Sequence, residues 1–63
     1  MDIDKLKTKY QVDSISCQRG DMDWLAEAFR AGRSVAKGTG LDQEAALRNL
    51  ETSLIVWKES TSA

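Results

Sequence analysis

Few side chains in this sequence belong to the types that catalyse reactions or bind metals. There is one cysteine, Cys17, and no histidine, so the most common general base is missing. Cys17 has no base partner and falls in a predicted strand, which favours a small buried hydrophobe over a nucleophile. A single soft ligand also excludes a tetrahedral Cys/His zinc site.

Two other patterns have weaker claims to chemistry. Asp21 and Asp23 resemble a carboxylate pair for a metal, but two carboxylates in a turn are far more typical of the turn itself and of a cap. The segment Gly38-Thr39-Gly40 does not have the spacing of either known phosphate-binding glycine loop. The sequence therefore predicts a protein that is not an enzyme, with no catalytic residue, no metal and no cofactor.

The length of the chain limits how much surface it can bury. Its 63 residues form one small domain, which buries only roughly 60% of the surface that the unfolded chain exposes. A lone cysteine allows no internal disulfide, so self-association as a homodimer is the remaining common means of stabilisation. A free thiol suits a reducing compartment, and the sequence has neither a run of about 18 apolar residues nor a signal-peptide segment. We therefore expect a cytoplasmic protein without a membrane partner. We also expect no small-molecule substrate.

The charges of the chain are balanced overall but unevenly distributed. Nine basic and ten acidic side chains give a net charge of −1, which argues against a general nucleic-acid binder. Residues 24–41 nevertheless carry Arg30, Arg33 and Lys37 against Glu27 alone, whereas residues 42–63 are acidic. The pattern indicates a modestly basic hairpin beside an acidic helix.

The first third of the chain predicts a short helix and a strand. Residues from Asp2 to Lys9 place Ile3 and Leu6 at helical spacing, enough for one or two turns that dock on the core. From Tyr10 to Arg19, apolar and polar residues alternate as in a strand, and Gly20-Asp21 is a turn signal.

The segment from Asp23 to Arg30 fits two structures. Its leucine, alanines and glutamate favour a helix by intrinsic propensity, with Asp23 as the cap and Gly32 after the end. We favour a strand that turns at Ala31-Gly32, because residues 33–39 then have an adjacent antiparallel partner.

The last element is a helix from Asp42 to Lys58. Asp42 is a good N-cap, Glu44 lies in the first turn where the helix dipole favours an anion, and Leu41 is expected to contact Ala46 as a hydrophobic staple. At 100° per residue one arc forms the predicted core face; its residues are Ala46, Leu47, Leu50, Leu54 and Trp57. Residues 60–63 are expected to form a disordered tail.

The junction between the third strand and this helix has a recognisable form. Gly38 and Gly40 end the strand, and Glu44, Ala45 and Ala46 follow in the helix. Glycines at alternate positions let a helix lie unusually close to a strand. In these residues the sequence resembles a double-stranded-RNA-binding domain, whose third strand carries Gly-x-Gly before a helix with Glu-Ala and a row of alanines.

The resemblance covers residues 10–54 and implies an α-β-β-β-α fold. Tyr10 and Trp24 stand where members of that family often begin the first and second strands. A similar junction occurs in HicB-like antitoxins, which have a partial version of the fold.

The sequence departs from the RNA-binding family where that family contacts RNA. Asp42, Gln43 and Glu44 replace the lysine cluster that opens the last helix, and the loop from Gly20 to Asp23 lacks the family's proline and histidine. Double-stranded RNA is recognised mainly through phosphates and 2′-hydroxyls, so these changes imply the fold without the inherited function.

Apolar residues outside the predicted core indicate two binding surfaces. If Trp24, Ala26 and Ala28 face the helix, alternation sends Leu25, Phe29 and Val35 to the opposite, open face of the sheet; the opposite register, or a helix over residues 23–31, would place them in the core. On the last helix, Ile55 and Val56 point away from the core face unless the helix ends before them and the tail folds back. These five residues are the predicted partner-binding residues: Leu25, Phe29, Val35, Ile55 and Val56.

Two functions fit these surfaces. The first is a small interaction protein that forms a homodimer or binds a larger protein, a size and composition typical of phage or mobile-element modulators of a host protein. The second is nucleic-acid binding through Arg30, Arg33 and Lys37, with Trp24 or Phe29 stacking on bases.

Overall fold

The computed structural model describes residues 2–61, and it has the predicted α+β fold, with a three-stranded antiparallel sheet that is preceded and followed by a helix along the chain. The elements are α1 (Ile3–Tyr10), β1 (Ser14–Arg19), β2 (Trp24–Arg30), β3 (Arg33–Gly40) and α2 (Gln43–Thr61). The strands lie in the order β1-β2-β3. Neither helix within this range combines the length and apolar character that a membrane span requires.

The ambiguous segment after Asp23 forms strand β2, not a helix. Trp24 pairs with Gly40 and Ala28 with Ala36 across an antiparallel ladder. Pairing with two neighbouring strands therefore outweighs the helix propensity of its leucine, alanines and glutamate.

A two-residue turn joins β2 to β3. Ala31 and Gly32 both have positive φ angles, 54° and 77°, as in the type I′ turn that suits the twist of a hairpin. Asp13, just before β1, accepts a hydrogen bond from the Ala31 amide at 2.6 Å and donates its own amide to the Phe29 carbonyl at 2.9 Å. The turn is thereby tied to the start of the neighbouring strand.

Helix α1 is short and well capped. The Asp2 side chain accepts a hydrogen bond from the Asp4 amide, and Gln11 ends the helix in the left-handed conformation. Leu6 and Tyr10 are buried, and Ile3 packs against the core, which confirms the predicted docking. Tyr10 was expected to begin β1, but it is the last residue of α1.

Helix α2 begins as predicted and ends later. The Asp42 carboxylate caps it by accepting from the Ala45 amide at 2.8 Å. The helix continues through Thr61, where a disordered tail was expected, and residues 62 and 63 lie outside the described range. Leu41 is 86% exposed, so the predicted staple to Ala46 is wrong.

The core lies between the sheet and α2 and is built around small residues. Ala26, Ala28 and Ala36 from the sheet are buried against the helix. A Cβ atom at Gly38 would overlap the Leu50 nitrogen and the Ala46 carbonyl oxygen, so no other residue type fits without moving α2. The predicted close approach of helix and strand is confirmed. The predicted core face is buried at Ala46, Leu47, Leu50 and Leu54, with Trp57 half-buried.

Polar contacts hold α2 against β3 on one side and against α1 on the other. Asn49 donates its side-chain amide to the Thr39 carbonyl, and Ser53 donates its hydroxyl to the Lys37 carbonyl at 2.7 Å. On the other side the Tyr10 hydroxyl donates to the Glu51 carboxylate at 2.9 Å. The helix is therefore held along β3 and against α1, with its remaining face turned to solvent.

Candidate protein-interaction surfaces

The open face of the sheet is mostly polar. Each of its three central positions on β2 is flanked by two side chains from the neighbouring strands. In register, Phe29 lies between Ser14 and Ser34, Glu27 between Ser16 and Lys37, and Leu25 between Gln18 and Thr39. Leu25 and Phe29 are half-buried on this face.

The continuous apolar patch predicted for this face does not form. Leu25 and Phe29 are about 13 Å apart along β2, and Glu27 stands between them with its carboxylate 4.0 Å from the Lys37 ammonium. Val35 was expected beside them, but it packs against the core cluster. The cause is a register shift at Ala28/Phe29, since an extra residue in a strand changes which face its side chains take.

The three cations of the predicted basic hairpin do not converge on one surface. Arg30 lies over the ring of Trp57 on α2, at 5.9 Å from the ring centroid, and Arg33 is its partner in register. Lys37 lies on the opposite face of the sheet beside Glu27. Nucleic-acid binding through these residues stays a prediction from the sequence.

The aromatic residues proposed to stack on bases are also separated. Phe29 lies on the open face, whereas Trp24 packs against the core cluster. A stacking platform for single-stranded nucleic acid places its aromatic side chains along one groove beside the cations. This sheet does not present such a groove.

The outward face of α2 presents the clearest apolar surface among the predicted sites. Because α2 continues to Thr61, Ile55 and Val56 lie within a regular helix, and the alternative in which the tail folds back does not apply. Ile55 is 43% exposed and Val56 is 58% exposed. Ile55 lies about 100° from Leu54 around the helix axis, and Leu54 is fully buried. Both β-branched side chains therefore face away from the core.

A further apolar pair lies at the other end of the molecule, and neither of its residues is among the predicted binding residues. Met22 is 90% exposed and Leu41 is 86% exposed. Together with Arg19 and Trp24 they border a shallow hollow of about 90 Å³, far smaller than the roughly 300–1,000 Å³ of pockets for small ligands. Met22 lies in a turn and Leu41 in a strand-helix junction, and neither position has a helical or strand period from which its exposure could be predicted.

The remaining chemical candidates lie in structural positions. Cys17 is half-buried on the core side of β1, and burial raises the pKa of its thiol, which disfavours the nucleophilic thiolate. Asp23 accepts the Gly20 amide through its backbone carbonyl at 2.6 Å, as a turn residue does. Within residues 2–61, no three acidic or cysteine side chains gather at a site for a metal ion.

No family model matches the chain, and neither a curated protein nor a solved structure shows significant similarity to it.

Proposed function

We propose that this chain is a non-enzymatic protein-interaction module that binds another protein surface through the outward face of α2. The observation that carries the proposal is the exposure of Ile55 and Val56, 43% and 58% respectively, outside the arc of the helix that the buried leucines occupy. Neither side chain contributes its full apolar area to folding.

The residue types at these positions support the proposal. Isoleucine and valine have lower helix propensity than alanine or leucine because their branched side chains lose rotamer freedom in a helix. Burial of one such side chain contributes about 1.5–3 kcal/mol. About half of each side chain is already covered in the isolated chain, so a protein surface that covers the remainder of both gains about 1.5–3 kcal/mol in total.

The sheet supports binding less well than the helix. Leu25 and Phe29 are separated by the charged pair of Glu27 and Lys37, whereas Ile55 and Val56 are consecutive residues of α2, about 100° apart around its axis. The core of a protein interface is depleted in charged residues, so α2 offers the better centre for a contact.

Compartment and fold relationship form part of the same proposal. A single half-buried thiol, Cys17, suits the reducing cytoplasm, and a phage or mobile-element modulator of a host protein would act there.

We also propose the architecture of a double-stranded-RNA-binding domain without its function. The α-β-β-β-α order and the exposed Asp42 and Glu44 at the start of α2 support this view, because carboxylates at that position repel phosphates.

A photo-crosslinking residue placed at Val56 tests the proposal. The full chain carrying it is irradiated in a lysate of the source cells, and the adducts are identified by mass spectrometry. The matched control carries the same residue at Ser34, which is exposed on the open sheet face beside Phe29. We expect protein adducts from position 56 that Ile55→Ser removes. Equal labelling from both positions, or no adduct from position 56, would contradict the proposal.

A further inference from the structure

The outward face of α2 carries a stripe with the spacing of a coiled-coil seam. Arg48, Thr52, Ile55 and Glu59 follow one another at intervals of four, three and four residues, and all four are exposed. At 100° per residue they fall within an arc of about 60°, on the side of the helix opposite the buried leucines. Helices pair along a stripe with this a/d spacing; in a coiled coil the stripe is apolar, and here Ile55 is its one apolar member.

The stripe is complementary to itself when two copies run antiparallel. In an antiparallel pair each a position faces a d position of the partner. Arg48 then lies opposite the partner's Glu59, and Thr52 lies opposite the partner's Ile55. Twofold symmetry repeats both contacts, so two charge pairs flank a centre of two isoleucines and two threonines.

Building on the proposed function, we propose that the partner of this face is a second copy of the chain, bound through antiparallel pairing of α2 with α2. A parallel pair would set Arg48 against Arg48 and Glu59 against Glu59, so the charges also specify the orientation.

The local contacts of the stripe leave it available for this pairing. Across the described part of the chain, neither Arg48 nor Glu59 takes part in a salt bridge. The Thr52 hydroxyl donates to the Arg48 carbonyl of its own helix at 3.4 Å, so the hydroxyl keeps a hydrogen-bond partner when a second copy covers it. Val56 lies beside Ile55 and widens the apolar centre.

The contact between the two helices is small, so we expect the dimer to form only at high protein concentration. One helix face with four central residues buries less than the roughly 1,200–2,000 Å² of a standard interface. We therefore expect a reversible dimer with a dissociation constant of about 0.1–1 mM. Tethering or high local concentration would be needed to populate it fully.

Sedimentation equilibrium of the purified full chain tests the pairing, from about 10 µM to about 1 mM at low salt. Arg48→Glu and Glu59→Arg each replace two attractions by two repulsions, and each should raise the dissociation constant about tenfold or more. The double variant Arg48→Glu/Glu59→Arg restores both pairs and should return to within about threefold of the unchanged chain. Lys5→Glu, an exposed charge change on α1, is the matched control and should have no effect.

A monomer at every concentration would overturn the inference, as would a double variant that stays as weak as the single ones. Crosslinking at Val56 distinguishes this failure from failure of the proposed function. Adducts with a different protein, from a chain that remains monomeric, would overturn self-pairing and leave the interaction role intact. No adduct from a monomeric chain would overturn both.

Discussion

At Gly38 the backbone of β3 meets the backbone of α2 without a side chain between them. A Cβ atom there would overlap the Leu50 nitrogen and lie 2.6 Å from the Ala46 carbonyl oxygen. Main-chain atoms of a packed helix cannot rotate away as a side chain can, so the whole helix would have to move. Together with Gly40, where an added Cβ would lie 2.6 Å from the Ala46 nitrogen, this position determines how closely the two elements approach.

We predict that Gly38→Ala lowers the free energy of unfolding by about 3 kcal/mol or more, because it overpacks the core. Gly32→Ala is the comparison, since Gly32 has φ 77° and no atom within 4 Å of its added Cβ. It should lose only the left-handed conformational energy of about 1–2 kcal/mol. Urea titration measures both, and equal losses would contradict the close approach.

A second prediction at the scale of one residue concerns the reactivity of the Cys17 thiol. Burial raises the pKa of its thiol, and each unit of increase lowers the thiolate fraction about tenfold at neutral pH. We expect slow reaction with a disulfide reagent at pH 7.5 in the folded chain and fast reaction in denaturant. Equal rates in both states would show that the thiol is not protected by the fold.

At the scale of elements, the residue pattern predicts both helices and the first strand directly, whereas Ala31-Gly32 fits either a hairpin turn or the end of a helix. Asp42 caps α2, and Ala31-Gly32 forms the hairpin turn with two positive φ angles. The strand identity of β2 required an argument from pairing rather than propensity. The position of Val35 was not predictable, since a register shift depends on how two strands settle against the core and leaves no composition signal.

The contact between α1 and α2 predicts a loss of stability at alkaline pH. The pKa of Tyr10 is raised above its ordinary value of 10.0, mainly by burial and secondly by the hydrogen bond to Glu51. The hydrogen bond to Glu51 also raises the pKa of Lys9 above its ordinary value of 10.5. The folded state thus holds these protons more tightly than the unfolded state. The two protonated side chains therefore contribute their full stabilisation of the folded state below about pH 10. This contribution falls as the pH rises through the pKa values of the folded state.

The variant Tyr10→Phe isolates the tyrosine part of this dependence. It removes the 2.9 Å hydrogen bond to Glu51 and should lower the free energy of unfolding by about 1 kcal/mol at pH 7. Its stability should then decline less steeply than that of the unchanged chain above pH 10. Parallel pH profiles, measured by urea titration, would contradict a contribution from the tyrosine proton.

At the scale of the whole molecule, the buried and exposed apolar residues separate cleanly along α2. Leu50 and Leu54 are fully buried, whereas Ile55 and Val56 are exposed. The helical period made Val56 an outward residue in the sequence. The exposure of both Ile55 and Val56 depended on whether α2 continues past them, whereas that of Met22 and Leu41 depended on a turn and a junction that no periodicity describes.

This separation predicts different effects of substitution on stability. Ile55→Ser/Val56→Ser should lower the free energy of unfolding by about 1 kcal/mol or less per site, because both side chains are only partly covered. Leu54→Ala, one position away, should lose about 2–5 kcal/mol because it leaves a cavity in the core. Thermal and urea unfolding distinguish the two, and a loss of several kcal/mol in the double variant would place its residues in the core.

Methyl NMR tests the outward face of α2 most directly as the binding surface. The chain has three isoleucines and three valines, so labelled methyl groups report from Ile55 and Val56 and from the core or near-core controls Ile15 and Val35. Spectra are recorded from about 10 µM to about 1 mM and in a lysate of the source cells. We predict shifts or broadening confined to Ile55 and Val56 in at least one series. Unchanged signals from both residues in both series, or changes at Ile15 and Val35 alone, would contradict the proposal.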